Sequence, residues 1–362
     1  MIIKDVRTTL LSIPYLEQPA FMAGYDRPRE LLVVEIETSS GIVGMGYLQP
    51  LLEGIRTIDA CIHEMCKPKL LGRDATHIEG IWRDLYFGNH MAGRMGIVLF
   101  ALSAIDVALW DALGKKAGLP LYRLWGAIGD EHVPVYGSGC YRGLGGDGMI
   151  EKARRYVSQG FEAIKMQVAH MHTPLQDLEH VRRMREALGD GIAIMIDVNQ
   201  GWTADLSIQM GRKFEAYDIY WLEEPVPVDD FPGYLRVARA LDLRVVGGEN
   251  HYTRWDLRPF FGEPLIPILQ PDFQRGGLTE MRKIAAVADT YGIRIAPHLF
   301  PELMVHVLAS IPNGHTLEYM GWLDDLWVDP PLPVDGMMRV PERPGHGLAF
   351  KPEVLTECVM KG

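Results

Sequence analysis

The chain has little of what several common protein classes require. Among 362 residues there are only four cysteines, Cys61, Cys66, Cys140 and Cys358. That is too few for a disulfide framework, and Cys61 and Cys66 have no companion pair at zinc-finger spacing. Basic residues are outnumbered: 36 Lys and Arg against 47 Asp and Glu leave a formal charge of −11. With no basic stripe to displace counterions, a nucleic-acid partner is not expected. A small anionic substrate stays open, because a bound metal ion inverts the field inside one pocket. No apolar run is read as reaching transmembrane length. The alternating start MIIKDVRTTLLSIPY lacks the charged, apolar and small-residue regions of a signal peptide. The expectation is a cytoplasmic protein without a membrane partner.

What is present divides into two textures. MIIKDVRTTLL and ELLVVEIETSSGIVGMGYL read as antiparallel strands, the second pair turning at Ser39-Ser40-Gly41. Helical segments follow, the last of them, IVLFALSAIDVALWDALGKKAG, apolar nearly all round and therefore buried. From about residue 130 the pattern becomes regular: VPVYGSGC, FEAIKMQV, IAIMIDVN, IYWLEEP, LRVVGGE, IPILQPDF, IRIAPHL and GHTLEYM alternate with amphipathic stretches. Eight strands with intervening helices predict an α/β protein, a (β/α)8 TIM barrel behind an N-terminal α+β capping domain. The expected divisions are 1–128 for the cap, 129–325 for the barrel, and 326–362 for a Pro-rich segment packing back on the cap. YRGLGGDG at 141–148 lacks the ending of a P-loop and is read as a flexible loop.

Three acidic residues each close a short apolar run: Asp197, Glu223 and Glu249. They recur about every 26 residues, one strand-plus-helix unit of such a barrel, whose active sites gather at the carboxyl ends of the strands. Desolvated anions are costly, so three that converge call for a cation. An all-oxygen set suits Mg2+. Other strand ends carry Lys165 and Gln167, Asn199, Asp272, His298 and Glu318. Chemistry-bearing residues at seven successive strand ends are hard to ascribe to chance.

Taken in order, K-M-Q at 165–167, D-V-N at 197–199, W-L-E-E-P at 221–225, G-G-E-N at 247–250, Q-P-D at 270–272, P-H-L-F at 297–300 and T-L-E-Y at 316–319 resemble the mandelate racemase subgroup of the enolase superfamily. The resemblance covers essentially the whole chain. It implies Mg2+ held by Asp197, Glu223 and Glu249, and α-proton abstraction next to a substrate carboxylate. It implies a His298–Asp272 dyad, Lys165 near the bound carboxylate, and a protonated Glu318 hydrogen-bonding that carboxylate. Ser138 and Asn199 are weaker candidates for substrate contact, and Met22 and Tyr25 lie in a segment that closes the barrel mouth in this family. A homo-oligomer, from dimer to octamer, is also implied.

One departure decides the expected reaction. Gln167 stands where a two-base racemase carries a second lysine, and an amide cannot accept a proton. A lone imidazole can still remove an α-proton and protonate a leaving β-hydroxyl. The sequence therefore favours a hydro-lyase dehydrating an acid sugar, an aldonate or aldarate, with Gln167 bonding a substrate hydroxyl. A racemase, epimerase or cycloisomerase on the same site is the alternative, with a non-catalytic barrel behind it. For Lys165, a buried salt bridge to Asp197 or Glu223 competes with a direct catalytic role. Glu224 is expected to point away from the metal. His170 and His172 are read as solvent-exposed loop histidines in preference to a second metal site, and His251 likewise. Arg27 and Arg29 are read as solvated surface residues, with contact to a distal substrate carboxylate as the alternative, and Arg275 as lying behind the site.

Overall fold

The computed structural model describes residues 1–21, 24–51, 53–129, 131–262 and 265–360. Strands β1 (Ile3–Ile13), β2 (Arg29–Thr38) and β3 (Val43–Leu48) form an antiparallel meander in that order. One face of this sheet receives the helix Ile97–Ala117. The contact is backbone-close: a Cβ on Gly44 would stand 2.0 Å from the Ala108 carbonyl oxygen, and one on Gly46 2.1 Å from that of Ala104. Glycine is required at both positions because any side chain would push helix and sheet apart.

That helix corrects one sequence expectation. Its 21 residues are long and apolar enough to cross a membrane, yet 83% of its most apolar window is buried in the protein. Its polar exceptions are anchors. Ser103 donates to the Gln274 carbonyl at 2.9 Å, Asp106 accepts from the Thr279 amide at 2.8 Å and hydroxyl at 2.6 Å, and Trp110 donates to the same hydroxyl at 2.8 Å. All three tie the cap to the helix Gly277–Thr290 or to the turn before it. The helix is a core beam between two layers.

The eight strands expected after residue 130 are all present: β4 (His132–Cys140), β5 (Ala163–Gln167), β6 (Ala193–Asp197), β7 (Ile219–Glu223), β8 (Arg244–Val246), β9 (Ile268–Leu269), β10 (Arg294–Ile295) and β11 (Leu317–Tyr319). Parallel pairing runs β11-β4-β5-β6-β7-β8 and β9-β10. Parallel bridges Gly247↔Leu269 and Ile295↔Gly314 join the remaining neighbours and close the ring. Inside it, Tyr136, Met195, Trp221, Val246, Ile268 and Ala296 pack as one buried cluster, with Tyr136 edge-on to Trp221 at 5.3 Å. Such a layer fills a barrel rather than leaving a pore. It is the floor on which the strand-end residues stand.

The glycine-rich segment 141–148 is not a flexible loop. Arg142–Leu144 makes a single 3-10 turn, and Gly145 starts the helix Gly145–Ser158. The final segment adds β12 (Met337–Arg339), antiparallel to β4, and a bridge from Val359 to Leu11 of β1.

Burial pushes the Asp106 carboxyl up to about 7, against the hydrogen bonds from Thr279. A carboxyl whose folded value lies above its unfolded one binds more protons when folded, so stability declines as pH rises from about 4 to about 7. Asp106→Asn keeps one acceptor for the amide and one donor for the hydroxyl. Denaturation midpoints are expected to show the wild type falling relative to this variant between pH 5 and pH 8.

Candidate active site

The strand ends converge on a cavity of about 470 Å³ lined by Lys165, Gln167, Asp197, Asn199, Glu249, His298 and Glu318, among others. Period-two alternation aims Lys165 and Gln167 of β5 at one face. The β5–β6–β7 register places Gln167 beside Asp197, and Asp197 beside Glu223.

Lys165 organises the floor. Its ammonium, 3% exposed, lies 2.7 Å from Glu223 Oε1 and 2.8 Å from Glu318 Oε1, with both carboxylates fully buried. Burial pulls that ammonium down, but the two carboxylates more than offset it and hold it well above its usual value. One cation cannot satisfy two anions. Burial pushes Glu223 well up despite Lys165, while Glu318, which burial would also raise, is held below its usual range by Lys165 and His298. Glu318 thus sits between two basic groups, Lys165 and His298.

The remaining carboxylates are clamped by amides. The Asn199 side chain donates to Asp197 Oδ2 at 2.7 Å and its backbone to Oδ1 at 2.8 Å. Asn250 donates to Glu224 at 3.0 Å and to Glu249 at 3.3 Å. Glu224 turns away from the cavity to Asn250 and Gln200, as expected, and burial lifts it to about 7. Burial lifts Glu249 to about 8. Arg275 donates to the Glu249 carbonyl at 3.0 Å, behind the site. Glu223 receives the Trp221 indole at 3.1 Å.

His298 Nδ1 lies 3.1 Å from Asp272 Oδ2, leaving Nε2 3.7 Å from Glu249 Oε2. Burial lowers this imidazole, but Glu249 and Asp272 outweigh it and raise it to about 10. Asp272, which burial would raise, is kept low by the same hydrogen bond. Its orientation comes from Gln274, whose amide donates to Oδ1 at 2.8 Å. Gln274 Oε1 in turn accepts from the Gln49 amide of the cap at 2.9 Å. The cap thus helps aim the dyad.

Not every expected residue reaches the cavity. Ser138 is buried on β4, where its side chain bonds Glu318 and takes no part in the lining. Tyr25 donates to the Leu51 carbonyl and packs behind Phe21, its ring 4.7 Å away. Phe21, not Tyr25, lines the cavity. Met22 lies outside the described residues. Arg29 is spent on Asp325 (2.6 Å) and the carbonyls of Pro14 and Trp322, and Arg27 on Glu53 at 2.7 Å.

Sequence reasoning missed the cavity's guanidinium. Arg142, two residues beyond the end of β4, is 5% exposed, lines the cavity and donates to Asn199 Oδ1. Its strand-end position was the available signal, masked by the surrounding glycines. Phe21, Tyr141 and Trp322 form an aromatic wall, with the Trp322 indole donating to the Tyr141 hydroxyl at 2.7 Å.

Two family models match the chain: the mandelate racemase / muconate lactonizing enzyme N-terminal domain over residues 9–126, and the enolase C-terminal domain-like model over 148–354. The chain belongs to this family. Among its members, a 3,6-anhydro-alpha-L-galactonate cycloisomerase of Streptomyces coelicolor is 36% identical over 96% of this chain and 97% of its own. An arabinonate dehydratase of Saccharolobus solfataricus is 32% identical over 99% of this chain and 100% of its own. A crystal structure of a racemase from Streptomyces coelicolor A3(2) with bound magnesium superposes with a TM-score of 0.94 at 35% identity, covering 99% and 100% of the two chains. A cycloisomerase and a dehydratase are thus both similar to this chain along nearly its whole length.

The Lys165 arrangement makes a direct prediction. Lys165→Met strands Glu223 and Glu318 as buried carboxylates without their cation, which costs about 3–5 kcal/mol. Denaturant unfolding at pH 7 with chelator present measures it. A loss under about 1 kcal/mol, typical of an exposed pair, would contradict a buried one.

Proposed function

We propose that the protein is a Mg2+-dependent acid-sugar lyase that eliminates the β-hydroxyl of a polyhydroxy carboxylate to give a 2-keto-3-deoxy acid. The observation that carries this reading is one carboxylate-oriented imidazole at the strand ends, with an amide rather than a second base at the end of β5. His298 is oriented by Asp272, whereas Gln167 presents an amide whose Oε1 is buried without a partner.

Asp197, Glu223 and Glu249 would hold the metal. The donors fit: all are carboxylates at or just beyond the ends of neighbouring strands, and burial raises two of them despite Lys165. When bound, Mg2+ supplies the positive charge that ionising a carbon next to a carboxylate demands and relieves His298 of the field of Glu249. His298 Nε2 takes the α-proton, and the electron pair left on that carbon becomes the double bond to the β-carbon. The β-carbon–oxygen bond breaks, and the departing oxygen receives its proton from His298 and leaves as water. The enol then tautomerises to the keto acid. Lys165, already a cation, positions the substrate carboxylate rather than accepting a proton. Gln167 Oε1 accepts a hydrogen bond from a substrate hydroxyl, and Arg142 serves hydroxyls farther along the chain.

A second reading has a specific basis. A 3,6-anhydro sugar acid carries its ring oxygen on the β-carbon, so the same elimination opens the ring and releases no water. The aromatic wall of Phe21, Tyr141 and Trp322 suits such a less hydroxylated substrate, and a cycloisomerase stands among the relatives. Incubating acid sugars and their 3,6-anhydro forms with Mg2+ separates the two by mass: dehydration loses one water, ring opening leaves the mass unchanged.

In either case His298→Asn is expected to lower kcat by about 10²–10⁴ or more while Mg2+ binding persists. Full turnover by that variant would remove His298 as the base. In D2O, recovered substrate is expected to keep its configuration. Inversion at the α-carbon without keto acid would establish a racemase instead.

A further inference from the structure

Beyond the barrel mouth, the loop after β5 and the helix Pro174–Leu188 bring a second set of ligand-type residues together. His172, Asp177 and His180 offer donor atoms that all lie within 4.8 Å of one another. Among the described residues this is the one such group. We propose that His172, Asp177 and His180 form a separate transition-metal site, of the nitrogen-preferring kind that Zn2+ occupies.

Three observations carry it. First, each of the three side chains keeps a polar atom unused: His172 Nδ1, Asp177 Oδ1 and His180 Nδ1 are all buried without a hydrogen-bond partner. Burying a polar atom with no partner is unfavourable, and three in one place point to a common ligand. Second, the side chain of Asp177 is fully buried, and only its other oxygen is used, by the Ala169 amide at 2.9 Å. Third, the spacing fits. His172 Nδ1 and Asp177 Oδ1 stand 3.6 Å apart, and two ligands about 2.0 Å from a tetrahedral ion are separated by roughly 3.3 Å. Both imidazoles are half-buried, next to the fully buried Asp177. With one carboxylate and two imidazoles, and the Arg142 guanidinium acting on Asp177, the set disfavours Mg2+ or Ca2+ and suits an ion that binds nitrogen strongly.

An ion there would fasten the turn at Ala169 and His170, two non-glycine residues held at φ 64° and 56°. That turn carries His170 and Met171 into the cavity lining. The site would thus stiffen one wall of the active site without touching the reacting atoms.

The test uses the whole protein, stripped with chelator and held in excess Mg2+, then titrated with Zn2+ against a chromophoric chelator. One tight Zn2+ per chain is expected. It should survive Glu249→Gln and be lost both in Asp177→Asn and in the combined His172→Ala, His180→Ala variant. The two histidines are part-exposed, so their replacement leaves the fold intact. Co2+ in place of Zn2+ should give a tetrahedral absorption band that the double histidine variant lacks. No tight Zn2+ in the wild type, or uptake unchanged without the histidines, would overturn the proposal.

Discussion

Several carboxylates buried at the mouth of one barrel must be neutralised, and Lys165 is the internal cation that begins to do so. Its ammonium is shared between Glu223 and Glu318, on strands four and eight of the ring. Low dielectric makes each of these contacts strong and each unpaired charge expensive. The surrounding polar groups follow from the same demand. Asn199 bridges Asp197 to Arg142, Asn250 bridges Glu224 to Glu249, and Trp221 caps Glu223 from the barrel floor. What Lys165 leaves uncompensated is the charge deficit that a divalent ion would fill.

A second dependence runs between the two parts of the chain. Asp272 is aimed by Gln274, and Gln274 is gripped by Gln49 of the cap and by Ser103 of the central helix. On the other side of the mouth, Gly143 donates to the Ala20 carbonyl at 2.9 Å, so the segment that carries Phe21 is fastened to the first turn after β4. Arg29 reaches across to hold Trp322 and Asp325. The cap therefore supplies positioning to the dyad and one wall to the cavity. Neither half makes the site alone.

Much of this was legible from the residues because a barrel converts sequence order into position. Period-two alternation and the strand-end rule were enough to place Lys165, Gln167, Asp197, Asn199, Glu249, His298 and Glu318 around one cavity. What escaped was set by three-dimensional competition. Arg142 sits in a glycine-rich stretch that looks like a loop but starts a helix. The pairing of Glu318 with Lys165 joins the second and eighth barrel strands, which lie far apart in the chain. Tyr25 and Ser138 have suitable chemistry but are turned to Phe21 and Glu318. The central helix passes a membrane test on composition, and only the sheet and barrel packed around it show where it belongs. His172, Asp177 and His180 were invisible as a group because a loop turn, not a spacing rule, brings the first to the other two.

Dehydration and ring opening differ in the leaving oxygen, not in the machinery that ionises the substrate, so both depend on the carboxylate cluster. The most direct measurement is calorimetric titration of Mg2+ into chelator-stripped protein. One equivalent per chain is predicted, abolished by Glu249→Gln. Absence of Mg2+ binding, or binding indifferent to Glu249, would contradict a metal centre at the strand ends.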